Sequence, residues 1–157
     1  AATRAASEAD LLRCACERAD ALMREGVTSI EVKSGYGLTL ADEAKCLRVA
    51  RALGDARALS VRTTYLGAHA LPPEFEGRAE DYIGAVCDWM APLHAQGLVD
   101  AVDAFCDTIG FTPAQTDALR GPLSHTGFSR GAPSSDPVTC AYLHGVLEAA
   151  GVLGPAP

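Results

Sequence analysis

Two short segments of this chain contain residue types that suit ligand binding or catalysis. The first, Lys33-Ser-Gly-Tyr-Gly-Leu38, places Tyr36 between two glycines, and the second, Gly67-Ala-His-Ala70, contains His69. Glycine relieves backbone constraints, so Tyr36 can project from a tight turn and exchange one hydrogen bond with a polar ligand. An imidazole such as His69 can bind a metal, move a proton or donate a hydrogen bond to a carbonyl group.

Each of these residues also has a simpler interpretation. Tyr36 would then pack on the following helix, and His69 would only satisfy nearby loop carbonyl groups. Position favours the packing interpretation slightly for Tyr36 and leaves the two interpretations of His69 about even. Cys106-Asp107 is a weaker candidate, since a carboxylate there would contact either a ligand or a loop amide. Glu31 and Lys33 alternate on one strand face, either as a buried ion pair or as exposed groups.

Helices and strands alternate around these segments. Strand patterns are recognised by β-branched and aromatic residues, and helices by apolar residues at helical spacing that follow capping residues such as Ser7, Thr39 and Thr112. Gly26, Gly54 and Gly97 mark helix ends, and Pro92 should kink the third helix or end it early. The predicted helices cover about 8–25, 39–53, 78–96 and 112–120, and the predicted strands cover 27–33, 61–66 and 98–106.

This order predicts an α/β fold with a parallel sheet, because parallel strands need helical crossovers. Both candidate segments then follow the carboxyl ends of strands, where ligands bind in such folds. Three strands are too few for a closed eight-stranded barrel, so an arc of a barrel or a small open sheet is expected. We divide the chain into a domain over 1–120 and a Gly-, Pro- and Ser-rich tail over 121–157, irregular except for a short helix at about 138–150.

The composition excludes several classes of protein. The 157 residues are 48% apolar and 21% charged, as in globular domains with a sizeable core. A net charge of −7 without a basic cluster argues against a nucleic-acid partner, and no apolar run approaches the ~20 residues of a membrane span. Six cysteines without a CxxC pair indicate reduced thiols and a cytoplasmic location rather than disulfides.

Longer motifs resemble one enzyme family. Thr28-Ser-Ile-Glu-Val-Lys-Ser-Gly-Tyr-Gly-Leu-Thr-Leu40 and Arg62-Thr-Thr-Tyr-Leu-Gly-Ala-His-Ala-Leu-Pro-Pro-Glu74 are similar to segments of the imidazolonepropionases of the amidohydrolase superfamily. Asp81-Tyr-Ile83, the segment 99–106 and Gly110-Phe-Thr-Pro-Ala-Gln115 continue the resemblance in order. It covers roughly residues 7 to 120, and motifs of this length are much more specific than a short pattern.

The resemblance implies a (β/α)8 barrel and hydrolysis of 4-imidazolone-5-propanoate to N-formimino-L-glutamate in histidine degradation. It implies that Tyr36 contacts the substrate or product and that His69 binds the imidazolone, whose carbonyl group it would orient or polarise. It also implies a zinc or iron cofactor, a small-molecule substrate as the partner and, as an open possibility, a homodimer.

The chain departs from the family pattern at the metal site. The family holds its metal with a His-x-His pair after the first barrel strand, a later histidine in Lys-Leu-His-Ala and an aspartate near the last strand, none of which is matched here. The arginine that grips the substrate is also unmatched. We therefore expect no metal ligand and no catalytic residue in this chain, and no activity from it alone. We expect a partial or frame-disrupted copy of the family.

Two other interpretations remain. The chain would be a non-catalytic remnant or interaction module that binds a partner through open sheet edges, or another amidohydrolase such as a deaminase. The paired Ser-Gly-Tyr-Gly-Leu and Gly-Ala-His-Ala-Leu-Pro-Pro motifs favour the imidazolonepropionases over a deaminase.

Overall fold

A three-stranded parallel sheet with helical connections forms the centre of the computed structural model, which describes residues 2–107 and 109–119. The strand order is β1-β2-β3, and both neighbouring pairs are parallel. The predicted alternation of helices and strands is therefore confirmed. The elements are helix α1 (Ala2–Ala5), helix α2 (Glu8–Arg24), strand β1 (Ser29–Lys33), helix α3 (Leu40–Ala56), strand β2 (Ser60–Ala68), a 3-10 turn (Pro73–Phe75), helix α4 (Ala79–Ala95), strand β3 (Ala101–Ala104) and helix α5 (Pro113–Ala118).

The predicted helix starts agree with the structure because side chains supply the missing backbone partners. The Ser7 and Thr39 hydroxyls accept the N–H groups of Asp10 and Asp42, and Thr112 forms a full capping box. Gly26, with φ +90°, ends α2 as predicted. Its N–H donates to the Met23 carbonyl oxygen and the Val27 N–H donates to that of Leu22, which together form a Schellman motif.

One predicted helix end was wrong, and one of the two effects predicted for Pro92 does not occur. Helix α3 runs past Gly54 to Ala56, and Gly54 instead lies under strand β2, where an added Cβ would lie 3.4 Å from the Val61 side chain. Helix α4 continues past Pro92 to Ala95, so the proline does not end it early. The structure also contains α1 and the 3-10 turn at Pro73, which the apolar spacing had not predicted.

The strand bounds also differ from those predicted. Strand β2 continues through Gly67 to Ala68, with a register irregularity between Tyr65 and Ala68. Strand β3 is shorter than predicted and begins at Ala101. The carboxylate of Asp100 accepts the Thr63 N–H in place of a backbone carbonyl group, which explains why the regular ladder starts three residues later than predicted.

The two faces of the sheet have different characters. Ile30 and Val61 pack with α2 and α3, and Tyr65 and Val102 belong to the larger core built with α4. Because side chains alternate along a strand, the residues between them lie on the other face. That face contains a polar cluster in which Lys33 pairs with Asp103 at 2.6 Å and Thr64 donates to Glu31.

For the residues that the structure describes, the cysteines agree with the prediction of free thiols. Cys14, Cys16, Cys46, Cys87 and Cys106 are all free thiols. Burial raises the pKa of Cys46 to about 11, so this thiol behaves as a small apolar group. Among the described helices, none has the length and apolar character needed to cross a membrane. The predicted tail over 121–157, with its helix at 138–150, lies outside the described residues.

Asp100 joins the sheet to α3. It receives two hydrogen bonds from the Arg51 guanidinium at 2.7 and 2.8 Å, and its Oδ2 also accepts the N–H of the fully buried Thr63 at 2.8 Å. A bidentate pair of this kind combines charge with geometry. Asp100 therefore holds the start of β3, the middle of β2 and helix α3 together.

We expect Asp100→Ala to lower the free energy of unfolding by about 2 kcal/mol, because it leaves a buried N–H group without its partner. Urea unfolding followed by circular dichroism measures this. Asp88→Ala, an exposed acid on α4, is the matched control and should cost less than about 0.5 kcal/mol. Equal losses in the two variants would contradict the assigned role.

We also expect the contribution of Asp100 to the free energy of unfolding to depend on pH. Hydrogen bonds from Arg51, opposed by burial, lower the pKa of Asp100 from 3.8 to about 2. A carboxyl group whose pKa is lower in the folded state stabilises the fold when the pH is above its pKa in the unfolded state. This stabilisation is lost as the pH falls through its pKa in the folded state. The difference in unfolding free energy between the unmodified chain and Asp100→Asn should be constant above about pH 5 and should shrink toward about pH 2. A difference that does not change over this range would contradict the prediction.

Candidate functional site

Tyr36 and His69 lie side by side at the carboxyl edge of the sheet. Tyr36 belongs to the loop after β1, and His69 follows the last residue of β2 directly. Their ring centroids are 5.2 Å apart and the ring planes meet at 80°. Tyr36 is 58% exposed, so much of its ring is open to a ligand. The structure therefore brings together the two residues that the sequence singled out.

The buried carboxylate of Glu43 holds the loop that contains Tyr36. Its Oε2 accepts the Gly35 N–H at 2.7 Å, and its Oε1 accepts the N–H groups of Gly37 and Leu38 at 2.8 and 2.7 Å. Glu43 is 0% exposed and lies in the first turn of α3, where the helix dipole favours a negative charge. Three charge-assisted hydrogen bonds offset the cost of burying this carboxylate.

The glycines of this loop are required by close approach as well as by conformation. Gly35 has φ +103°, and an added Cβ would lie 2.5 Å from the Leu66 carbonyl oxygen. At Gly37 an added Cβ would lie 2.4 Å from the Asp42 side chain. The backbone therefore passes directly over β2 on one side and over the start of α3 on the other, with no room for a side chain at either position.

Two hydroxyl groups hold the end of β2 where its register is irregular. Ser34 is buried, and its hydroxyl accepts the Leu66 N–H at 3.1 Å. The Tyr82 hydroxyl donates to the Gly67 carbonyl oxygen at 2.8 Å, and burial raises the pKa of this hydroxyl, so it remains protonated. These contacts fix the backbone that leads into His69.

His69 makes one hydrogen bond to the neighbouring loop. Its Nδ1 lies 2.8 Å from the Gly35 carbonyl oxygen. The simpler interpretation, a bond to a loop carbonyl group, is thus part of what this histidine does. The ring is half-buried and also faces Phe105 edge-on, at 6.1 Å between centroids. Phe105 is itself held by its N–H bond to the Ala68 carbonyl oxygen at 2.8 Å.

The N-terminal segment ties two of the edge loops together. Arg4 donates to the Gly37 carbonyl oxygen at 2.6 Å and pairs with Glu74 in the loop after β2. Lys45 on α3 donates in turn to the Arg4 carbonyl oxygen at 3.0 Å. The loop that contains Tyr36 is therefore anchored through its N–H groups by Glu43 and through a carbonyl group by Arg4.

The weaker candidates have structural partners. Lys33 is 2.6 Å from Asp103 and 3.8 Å from Glu31, so its nearer partner comes from β3. The Lys33 side chain is 18% exposed and that of Glu31 is 43% exposed, which is intermediate between the buried and exposed alternatives. Cys106 forms an isolated bridge with Phe111, and Asp107 is exposed.

The described residues do not fit the zinc or iron that the resemblance implies. Within 2–107 and 109–119, no group of three or more His, Cys, Asp and Glu side chains lies close enough together to hold a metal ion. His69 contributes one imidazole, and its Nδ1 already faces the Gly35 carbonyl oxygen. One side-chain ligand does not make the three- or four-ligand site that zinc requires in proteins.

Sequence reasoning missed the residues that support the site. Glu43 resembles an ordinary acid in a first helical turn, and Ser34 resembles a loop serine. A signal was nevertheless present for Glu43, because an acid that follows a glycine-flanked loop into a helix can accept several backbone N–H groups. Phe105 and Arg4 are distant in sequence and carried no comparable signal.

Comparison with known proteins identifies relatives of this chain, although no family model matches it. It is 63% identical over 119 residues to an imidazolonepropionase of Pseudomonas putida, which covers 75% of the chain and 30% of that protein. It is 60% identical over 119 residues to an imidazolonepropionase of Aromatoleum aromaticum, covering 75% of the chain and 29% of the relative. It is 57% identical over 129 residues to one of Hyphomonas neptunium, covering 82% of the chain and 32% of the relative. The chain thus spans about a third of the length of the relatives it matches.

Gly35→Ala should destabilise the protein more than Gly26→Ala. Both glycines have a positive φ, which costs a non-glycine residue about 1 to 2 kcal/mol, but only at Gly35 would the new methyl group meet backbone, whereas Gly26 faces open space. We expect about 1 kcal/mol or more of additional loss at Gly35. Urea unfolding of the two variants measures the difference, and equal losses would show that the close approach has no energetic consequence.

Proposed function

Over three quarters of its length this chain is a segment of the imidazolonepropionase family, and on that premise we propose that Tyr36 and His69 bind the ring of 4-imidazolone-5-propanoate. The observation that carries the proposal is their contact, 5.2 Å between ring centroids, at the carboxyl edge of a parallel sheet. Relatives named imidazolonepropionase, at 57 to 63% identity, supply the substrate class. The reaction of that class is hydrolysis of a cyclic amide in histidine degradation.

The geometry suits a small planar ring. Tyr36 is exposed and offers a phenol that exchanges one hydrogen bond with a polar group. His69 lies between Tyr36 and Phe105 and meets both edge-on, an arrangement favoured by aromatic quadrupoles. A flat ligand at this rim would contact aromatic surface and a ring nitrogen together. Tyr36 and His69 are thus proposed to orient the ring.

The fold supports an arc of a (β/α)8 barrel. Helices α2, α3 and α4 cover one face of the sheet through the two apolar cores. The opposite face holds the charged cluster of Lys33, Asp103 and Glu31. We propose that this polar face corresponds to the interior of a barrel and that the helices correspond to its outer ring. The same premise favours a cytoplasmic enzyme and leaves a homodimer open.

We propose that this chain retains the residues for ligand binding but not those for hydrolysis. The zinc or iron that the resemblance implies would supply Lewis-acid chemistry, and none of the described residues is assigned to hold it. The described residues of this chain contribute no such site, so we assign them only ring binding and orientation. We propose that the chain by itself binds the imidazolone without turning it over.

A second candidate function rests on the sheet edges. Within the described residues, β1 and β3 each pair with β2 alone, and the outer edge of a strand offers N–H and C=O groups to another chain. An interaction module that pairs through these edges is the alternative to a ligand-binding segment. A deaminase is disfavoured, because the relatives carry the imidazolonepropionase name.

Addition of 4-imidazolone-5-propanoate to the chain should perturb the NMR signals of Tyr36 and His69. His69→Ala should weaken this binding at least tenfold, and Tyr36→Phe should weaken it several-fold. Each substitution removes a protein side-chain group that would form a hydrogen bond with the ligand. His94→Ala is the matched control, because it lies in the last turn of α4, at the opposite end of the sheet, and should bind normally.

The same samples test the alternatives. No loss of substrate absorbance is expected after zinc or iron is added, and turnover abolished by His69→Ala would overturn the separation of binding from hydrolysis. Absence of binding, together with concentration-dependent association in light scattering, would favour the interaction module instead.

A further inference from the structure

The hydrogen bond of His69 decides which of its ring nitrogens carries a proton. A backbone carbonyl oxygen can only accept a hydrogen bond, so Nδ1, at 2.8 Å from the Gly35 oxygen, must be the donor. In a neutral imidazole only one nitrogen carries hydrogen. Nε2 is then the acceptor, and among the described residues it has no hydrogen-bond partner.

The Gly35 carbonyl group is held rigidly. The peptide that contains it lies between the N–H groups of Gly35 and Gly37, and both N–H groups donate to the Glu43 carboxylate. The preceding Ser34 N–H is bound to the Thr64 carbonyl oxygen at 2.9 Å. A rotation of the Gly35–Tyr36 peptide that withdrew the carbonyl oxygen from His69 would strain at least one of these bonds.

The groups that contact the His69 ring are uncharged. Its described neighbours are the Tyr36 ring, the Phe105 ring and the Gly35 carbonyl group. No carboxylate among the described residues forms a hydrogen bond or ion pair with it. The Glu43 carboxylate, the charged group nearest along this chain of contacts, is already satisfied by three backbone N–H groups.

We propose that Glu43 is a positioning residue that orients the Gly35 carbonyl group, thereby holds His69 as the Nδ1–H tautomer, and so presents Nε2 as a hydrogen-bond acceptor. The ligand class that fits is a planar ring with an N–H donor. A ring carbonyl group would pair with Nε2 only if the imidazole were protonated. The identity of the ligand rests on the proposed function, whereas the tautomer rests on the hydrogen bonds alone.

The tautomer is measured without any ligand. Histidine labelled with ¹⁵N shows the protonated and unprotonated ring nitrogens at different chemical shifts, and the His69 signals are assigned by their loss in His69→Asn. At about pH 8, where imidazoles are ordinarily neutral, we expect the Nδ1–H form in the unmodified chain. An Nε2–H form there would overturn the proposal.

Glu43→Gln tests the positioning role. A glutamine at this position presents an NH₂ group to backbone donors, so the loop loses acceptors and the Gly35 carbonyl group is released. We expect a measurable Nε2–H population at His69 while the signals of the other histidines stay unchanged. Glu76→Gln makes the same charge change at an exposed position and should leave the tautomer intact.

Two further outcomes complete the test. A folded Glu43→Gln chain with an unchanged tautomer would overturn the role of Glu43. If that variant does not fold, Glu43→Asp keeps the charge and withdraws the carboxylate by one methylene group, and it should give the same change in smaller proportion. An unaltered tautomer in a folded Glu43→Asp chain would then overturn the role.

The ligand class is tested by titration with hydantoin-5-propanoate and its N-methylated derivatives. Loss of the ring N–H that meets Nε2 should weaken binding about tenfold, and the His69 Nε2 signal should move only with the N–H form. Equal binding of all forms would overturn the acceptor role. Failure of every form to bind would count against the proposed function and leave the tautomer result standing.

Discussion

The carboxylate of Glu43 is the group on which the candidate site depends. It accepts the N–H groups of Gly35, Gly37 and Leu38, and it does so from the first turn of α3, where partial positive charge accumulates. A buried carboxylate is tolerable only when its oxygens are satisfied. The loop and helix α3 therefore stabilise each other. The loop supplies the N–H donors that the buried carboxylate requires, and the carboxylate holds the loop in one conformation.

The position of His69 is fixed by that loop and by β2. Its Nδ1 faces the Gly35 carbonyl oxygen, while the backbone before it is fixed by Ser34 and by the Tyr82 hydroxyl. Both contacts are made to Leu66 and Gly67, which lie where the register of β2 against β3 is irregular. Such irregularities often redirect a side chain beside a functional site. The site is thus carried by side-chain to backbone bonds between neighbouring strands and loops.

Local signals predicted the elements well and their exact ends less well. Ser7, Thr39 and Thr112 capped helices as expected, since a capping bond involves residues only three positions apart. The helix end predicted at Gly54 was wrong, because packing against Val61 explains the glycine there. The early start predicted for β3 failed for a similar reason, since the Asp100 side chain takes a bond that the backbone would otherwise make.

By itself the sequence determined the alternation of helices and strands, the parallel sheet and the choice of Tyr36 and His69. These follow from periodicity, from caps and from motifs shared with relatives, all of which are written along the chain. Only the tertiary structure decided that the two rings lie in contact, that Glu43 holds the loop that contains Tyr36, and that the His69 Nδ1 faces the Gly35 carbonyl oxygen. Those facts depend on distances between β1, β2 and α3, and a distance across a fold is not encoded in any local pattern.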